Sequence, residues 1–328
     1  MINVKLSTCA PLWPWLRQMP RGKTEWGPFR FHVDCDVSDC DIWVVFESLE
    51  ESEIVECSPE RVIFIAGEPD SIGSYQPEFL KQFFYVISGR QDLVHPRQLR
   101  IQQAHPWFVE KSYDELLQMP PIAKTRDVCV ISSDKAFTEG HRQRLAFVEM
   151  LKQRLGDRLD VYGRGIRDFE SKWDVLSPYR YAIVLENFSG EDFLTEKLPD
   201  AWLAYCFPFY FGCTNVGRYF KEGAWMEIGL SQPEAAASAI MKLIDDPNHY
   251  EQSLPAVISA REYYLNHAQF FANLSSILQS VLSSTSSKRE QITLRPNSEL
   301  FKLPETSAMN SENINRIGKF KNWWSSKV

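Results

Sequence analysis

The chain has 328 residues, enough for two domains of ordinary size, and its hydrophobic (44%) and charged (24%) fractions are typical of a globular protein. Its net charge is −7, and residues 285–328 hold eight basic and four acidic residues, so the rest of the chain is more acidic still. This acidic body argues against a nucleic-acid partner, since phosphate backbones require a basic surface.

The cysteines and the first residues bear on the compartment. Seven cysteines are scattered without a CxxC pair, which favours free thiols in a reducing environment. No apolar run approaches the roughly 18 residues that cross a bilayer. The start of the chain lacks the apolar stretch of a signal sequence, and the LSTC at 6–9 has no apolar run before it. We therefore expect a cytoplasmic protein.

In chain order, the pattern changes at about residue 120. The first third has strand-like runs at 41–47, 61–66 and 83–87, and the stretch from Pro120 to Arg126 resembles a linker. After it, strands and helices alternate, which predicts a parallel sheet with helices on both faces. The predicted strands are 127–132, 158–162, 181–185 and 207–211, and the predicted helices are 139–155, from about 198, 233–243 and 255–282.

A polar turn separates the strand at 181–185 from the next predicted helix. Free N–H groups and the positive dipole end of a helix that begins near Glu196 would attract an anion, and Lys197 in the first turn adds a full charge. A carboxylate such as Glu196 suits the two hydroxyls of a ribose. The pattern predicts a nucleotide diphosphate site, although a charged turn between buried elements can also be an ordinary solvated loop.

The stretch from Leu185 to Gly212 reads LENFSGEDFLTEKLPDAWLAYCFPFYFG. It resembles FENSxxxxYxTEKLxxAxxxxxxPxxxG, the donor-binding signature of the family 10 glycosyltransferases, the α-1,3/1,4-fucosyltransferases, in their bacterial form. The similarity continues at 132–151, 160–165 and 245–250, and more weakly at 61–69.

The resemblance implies an α/β fold of GT-B type, with two Rossmann-like domains facing an interdomain cleft. Residues 1–122 would form the acceptor-binding domain and residues 123–284 the nucleotide-sugar domain. Residues 285–328 would be a polar linker and a basic amphipathic tail.

Family roles transfer to single positions. The resemblance implies that Glu196 binds the ribose, that Lys197 holds the diphosphate, and that Arg144 clamps the phosphates, with Arg142 as the rival assignment. The glutamate of the GE turn after an N-terminal strand, Glu68, would be the catalytic base. Further donor-binding residues are expected at strand ends and before the TEK motif, namely Ser132, Ser133, Glu186, Asn187 and Phe193.

Two departures put the donor pocket in doubt. Phe193 stands where the family usually has tyrosine, so a hydroxyl that could bind phosphate or sugar is missing, and Phe188 replaces a serine. The implied reaction is inverting, metal-independent transfer of L-fucose from GDP-fucose to an acceptor oligosaccharide or glycolipid, without a cofactor. The alternatives are a protein that binds nucleotide sugars without catalysis, and a transferase for another GDP-sugar.

Two other motifs are weaker. The D-x-D triplets at 34–36 and 39–41 could hold a metal, but triplets this short arise by chance. Residues 313–328 contain four basic residues and no acid, with aromatics at 320, 323 and 324. Such a segment suits the interface of an anionic membrane; packing on protein is the alternative.

Overall fold

A computed structural model describes residues 1–11, 13–69, 73–132, 134, 139–282 and 288–300. The chain divides into two compact units. The first contains residues 1–103 and the described residues from 273 onward, and the second contains residues 104–272. Each unit is mixed α/β with a parallel sheet.

The sheet of the first unit has seven strands in the order β2-β3-β1-β4-β6-β7-β8, and all neighbouring pairs are parallel except β2 with β3. Its central strands are buried along their length, which explains their continuous apolar sequences. The strands are β1 (Ile2–Thr8), β2 (Glu25–Trp26), β3 (Phe29–Val33), β4 (Ile42–Phe46), β6 (Val62–Ile65), β7 (Tyr85–Ile87) and β8 (Gln98–Leu99).

A second, two-stranded sheet completes the first unit. Strand β5 (Glu53–Cys57) pairs in antiparallel fashion with β14 (Glu290–Leu294), and Val55 lies opposite Ile292. Val55 and Leu294 join the core that forms around Phe64. Helix α1 (Pro77–Leu80) belongs to this unit, as does most of α8 (Phe270–Val281).

The second unit has a five-stranded parallel sheet in the order β10-β9-β11-β12-β13. Helix α3 packs against β10 and β11, and α5 packs against β11, β12 and α7. The strands are β9 (Arg126–Ile131), β10 (Leu159–Tyr162), β11 (Tyr179–Gly190), β12 (Phe207–Cys213) and β13 (Met226–Glu227). The helices are α2 (Tyr113–Gln118), α3 (Glu139–Leu155), α4 (Lys172–Leu176), α5 (Lys197–Leu203), α6 (Pro233–Asp245) and α7 (His249–Tyr263).

Several elements differ from the sequence predictions. The helix expected over 255–282 begins earlier, at His249, and is interrupted by a π-helical turn at Tyr264–Ala268 before α8. Strands β1 and β3 were not predicted, because prolines and tryptophans crowd the stretch around them. Among the described residues, no helix is both long and apolar enough to cross a membrane.

The compact units also differ from the expected division at residues 122 and 284. The segment before residue 122 packs within the second unit, where the Phe108 N–H donates to Asp200 Oδ1 at 2.9 Å and the Tyr205 hydroxyl donates to the Met119 carbonyl at 2.5 Å. Part of the expected polar linker is strand β14, because its backbone completes the pairing of β5. The tail at 313–328 lies outside the described residues.

Candidate functional site

The strand end that carries Glu186 and Asn187 is irregular. Strand β11 pairs with β12 in register up to Leu185, and the register shifts before Gly190 pairs with Cys213. Gly212 on β12 makes room for this irregularity, because a Cβ there would lie 2.4 Å from Glu186 Cγ and 2.5 Å from the Tyr210 hydroxyl. The glycine of the family motif is therefore required so that the buried Glu186 side chain can pass β12.

Glu186, Thr195 and Lys197 form a closed polar group. The Lys197 ammonium lies 2.7 Å from Glu186 Oε2 and donates to the Thr195 hydroxyl at 3.0 Å. Thr195 in turn donates to Glu186 Oε1, from its hydroxyl at 2.5 Å and from its backbone N–H at 3.2 Å. The Lys197 side chain keeps 25% of its surface exposed, whereas Glu186 is fully buried. One buried carboxylate thus fixes the orientation of a lysine that still reaches solvent.

Glu196 lies between two lysines. Its Oε1 is 3.7 Å from Lys197 Nζ and 3.6 Å from Lys172 Nζ, and its side chain is almost fully buried. Glu196 precedes α5, as the sequence predicts, but α5 has only seven residues. The Lys197 N–H donates to the Thr195 hydroxyl at 3.4 Å, and Pro199 carries no N–H. Side chains, more than backbone, therefore supply the charge at this helix end.

Lys172 and Asp200 form a buried ion pair behind Glu196, and sequence reasoning missed both. The Lys172 ammonium lies 2.7 Å from Asp200 Oδ2. Burial raises the pKa of Asp200 to about 6, and the charge of Lys172 opposes this shift. Burial alone would lower the pKa of Lys172, but the charges of Asp200 and Glu196 outweigh it and the pKa lies above its ordinary value. The pair joins residues that are far apart in sequence, and no local pattern reveals it.

The structure separates the two candidate arginines of α3. Arg144 is buried and its Nη1 donates to Asn187 Oδ1 at 2.5 Å. Burial lowers the pKa of Arg144, while the charge of Glu186 opposes this. Arg142 lies on the exposed side of the helix, where it pairs with Glu139 at 2.7 Å. The geometry brings Arg144, and not Arg142, together with Asn187 and Glu186.

Ser132 is buried directly after β9, and its N–H donates to the Tyr162 carbonyl at 2.7 Å. The companion Ser133 lies outside the described residues. The Asp134 N–H donates to the Arg164 carbonyl at 3.2 Å, and a Cβ on Gly165 would lie 2.2 Å from Asp134 Oδ2. Gly165 therefore lies in a turn that packs closely on Asp134.

The two phenylalanines that depart from the family pattern pack on each other. Phe193 is buried, and its ring lies edge-on to that of Phe188 with centroids 5.3 Å apart. Phe188 is 39% exposed and covers Gly190, where a Cβ would lie 2.6 Å from its ring. The two departures from the family pattern are linked, since the ring of Phe188 packs against the buried ring of Phe193.

A further polar cluster holds the loop before the TEK motif. Asp192 adopts a positive φ of 59° and is buried. Its Oδ1 accepts from Asn215 Nδ2 at 2.9 Å, from Arg218 Nη1 at 3.2 Å, and from the Tyr219 hydroxyl. Aspartate tolerates this backbone conformation better than most residues. The cluster fixes the turn that leads into Thr195, and the sequence offered no signal for it.

The predicted base, Glu68, belongs to the first unit and follows β6. It is buried, and its backbone carbonyl accepts from Arg90 Nη1 at 3.2 Å. The Gly67 N–H donates to the carboxylate of Glu47, and the Gly67 carbonyl accepts from Gln103 Nε2 at 3.2 Å. The GE turn is thus held by buried side chains from three other segments.

Three of the four D-x-D acids, namely Asp34, Asp39 and Asp41, have partners in the first unit. Arg289 forms ion pairs with Asp39, at 3.0 Å, and with Asp41. Asp34 accepts from the Thr8 hydroxyl at 2.8 Å and from the Thr8 N–H at 2.6 Å, and burial raises its pKa to about 6. Within the described ranges, no group of three or more His, Cys, Asp or Glu residues is arranged to hold a metal ion. These contacts give the triplets a structural explanation.

The part of the chain that carries Glu186, Arg144 and the TEK motif matches a known family. Residues 121–256 match a family model, which describes the C-terminal part of glycosyltransferase family 10 (fucosyltransferase). Residues 121–256 belong to glycosyltransferase family 10. The match covers the strand end with Glu186, both arginines of α3 and the TEK motif, and it confirms the family and the enzyme class, a fucosyltransferase, expected from the sequence.

One solved structure shares the fold of this chain, and two further structures are similar at slightly lower TM-scores. A crystal structure of an alpha1,3-fucosyltransferase is 15% identical, with a TM-score of 0.50 over 87% of this chain and 91% of that one. A structure of alpha1,3-fucosyltransferase with GDP is 16% identical, with a TM-score of 0.49 over 87% of this chain and 91% of that one. A structure of alpha1,3-fucosyltransferase with GDP-fucose is 15% identical, with a TM-score of 0.48 over 88% of this chain and 92% of that one. At 15% identity, the likeness to the first of these structures shows the fold alone. No curated protein matches the chain.

Proposed function

We propose that this family 10 enzyme transfers L-fucose from GDP-fucose to a hydroxyl of an acceptor glycan, in α-1,3 or α-1,4 linkage, with inversion and without a metal. The observation that carries the proposal is the grouping of Arg144, Lys197 and Glu196 around the end of β11 within the domain that matches the family. The carboxyl end of a parallel strand is the usual place for a nucleotide in such a sheet.

The donor would bind through its phosphates and its ribose. Lys197 is oriented by Glu186 yet partly exposed, so a diphosphate can accept from its ammonium without displacing the buried carboxylate. Arg144 would add a planar fork for phosphate oxygens. Glu196, held between two lysines, can accept from the ribose hydroxyls. As the bond to fucose breaks, charge grows on the departing GDP, and the two cations stabilise it.

The acceptor would be activated by Glu68. Its carboxylate would take the proton of the attacking hydroxyl, the role of a general base. The two compact units would then act as the two domains of a GT-B enzyme, the first binding the acceptor and the second the donor. An oligosaccharide or a glycolipid is the expected acceptor, in the cytoplasm, with membrane contact through residues 313–328.

The test measures GDP release from GDP-fucose and from GDP-mannose, with and without a panel of acceptor glycans, for the wild-type chain and for Glu68→Gln. We expect the fucose donor to be preferred, turnover to survive EDTA, and Glu68→Gln to lose roughly 10²–10⁴-fold in turnover while still binding the donor.

Three outcomes would overturn parts of the proposal. Thermal stabilisation by GDP-fucose without any turnover would favour a binding protein, and preference for GDP-mannose would favour another donor, which the Phe188–Phe193 pair could select. Loss of activity in EDTA that Mn²⁺ restores would contradict the metal-independent mechanism.

A further inference from the structure

A second glutamate, Glu47, lies behind the turn that carries Glu68. It follows β4, whose last residue, Phe46, pairs with Ile65 at the end of β6. Glu47 is 1% exposed and adopts a positive φ of 68°. A non-glycine residue in this conformation costs on the order of 1 kcal/mol or more, so the surrounding contacts must favour it.

The Glu47 carboxylate contacts two separate segments of the chain, one through a backbone N–H and one through a side chain. Oε1 accepts from the Gly67 N–H, and Oε2 accepts from the Tyr75 hydroxyl at 2.6 Å. Arg90 lies over the Tyr75 ring at 5.2 Å and donates to the carbonyls of Glu68 and Gly73. Every one of these groups is in the first unit.

We propose that Glu47 is a positioning residue for Glu68: its carboxylate binds the backbone of the turn at Gly67 and Glu68 and so directs the catalytic carboxylate. This inference rests on the proposed function, in which Glu68 is the general base. The positioning matters because a base displaced by about 1 Å can lose on the order of 10²-fold in rate.

Charge makes the positioning dependent on pH. Burial raises the pKa of Glu47 to about 7, opposed by hydrogen bonds from Tyr75 and from the backbone of Gly67 and Glu68, and by the charge of Arg90. Burial, followed by the nearby charges of Glu47 and Glu68, raises the pKa of the Cys9 thiol. The ionised carboxylate of Glu47 can accept with both oxygens from the Tyr75 hydroxyl and from the backbone of the turn, whereas the protonated form carries a hydrogen on one of these oxygens. The turn is therefore held most firmly above the pKa of Glu47.

The test compares GDP release from GDP-fucose, as a function of pH, for wild type, Glu47→Gln and Tyr75→Phe. Glu47→Gln keeps the shape but leaves one acceptor oxygen for two donors, so we expect kcat to fall about 10–100-fold while the KM for GDP-fucose stays within about two-fold. The limb near pH 7 that Glu47 gives the wild-type profile should be absent from the Glu47→Gln profile, because glutamine does not titrate. Tyr75→Phe removes a hydrogen bond that lowers the pKa of Glu47, so the same limb should move to higher pH.

Glu53→Gln is the matched control, since Glu53 is a carboxylate of the same unit that pairs with Lys5 at 2.8 Å. Its pH profile should match that of wild type. Profiles of Glu47→Gln and Tyr75→Phe that superimpose on wild type would overturn the inference, even if both variants melt at lower temperature. The proposed function fails separately, if Glu68→Gln retains full turnover.

Discussion

At the scale of single residues, Gly212 shows how one missing atom shapes the site. Gly212→Ala would place a Cβ within 2.5 Å of two buried groups, Glu186 Cγ and the Tyr210 hydroxyl. Glu186 would have to move away from Lys197 and Thr195. We expect a loss of about 1–3 kcal/mol in the free energy of unfolding, typical of overpacking, together with weaker GDP binding.

Urea unfolding and GDP titration measure both effects. The control is Gly217→Ala, because a Cβ at Gly217 meets no atom within 4 Å. Equal unfolding free energies for the two variants would show that Glu186 and Tyr210 can shift freely, against the packing described for β12.

Asp200 gives a residue-scale prediction for pH. Its pKa is raised from 3.8 to about 6, so the folded state holds a proton that the unfolded state has released. This contribution to stability is present below the ordinary pKa and is lost as pH rises towards 6. The unfolding free energy of wild type minus that of Asp200→Asn should fall between pH 4 and 6, by up to about 3 kcal/mol.

Asparagine is a suitable replacement because it still offers an acceptor to the Phe108 N–H. Chemical unfolding of both proteins over this pH range measures the difference. A difference that grows with pH would mean that the ion pair with Lys172 lowers the pKa of Asp200 overall, and would contradict the dominance of burial.

At the scale of elements, the sequence predicted what local pattern encodes. The strand at 181–185, the helix at 139–155 and the TEK turn carry apolar periodicity and motif spacing, and each appears in the structure. The sequence could not decide between Arg142 and Arg144, because the buried side of α3 depends on which strands it packs against. The burial of Arg144 and its contact with Asn187 separate the two.

Contacts between distant segments could not be predicted from the sequence for the same reason. Lys172 contacts Asp200, and Asp192 contacts Tyr219, although each pair is separated by more than 25 residues of chain. Strand β14 lacked the length and apolar character of a core strand, and its pairing with β5 brings together segments more than 200 residues apart. Long-range contacts of this kind hold the side chains of the candidate site in place.

At the scale of the whole molecule, the tail at 313–328 remains a prediction. If it binds an anionic membrane, each of its four basic residues contributes about 1 kcal/mol near the surface. We expect salt-sensitive co-sedimentation with anionic vesicles that is lost when the chain ends at Leu300. This truncation keeps β14, which pairs with β5.

A matched variant, Trp323→Ser with Trp324→Ser, keeps the charge but removes the two largest apolar groups, and should weaken binding. If neither the full chain nor the truncated one binds vesicles, and truncation lowers the melting temperature or the oligomer size, the tail packs on protein instead.

The central claim is that Arg144 and Lys197 in the family 10 domain bind the diphosphate of a GDP-sugar. Titration calorimetry of GDP with Lys197→Ala, Arg144→Ala and Arg142→Ala tests it most directly, since the two arginines share one helix and differ in burial. We predict that Lys197→Ala and Arg144→Ala each lose about 10²-fold or more in affinity, as expected for a lost charge-assisted contact of roughly 3 kcal/mol. Arg142→Ala should bind GDP as wild type does. Full affinity in both Lys197→Ala and Arg144→Ala would contradict the claim.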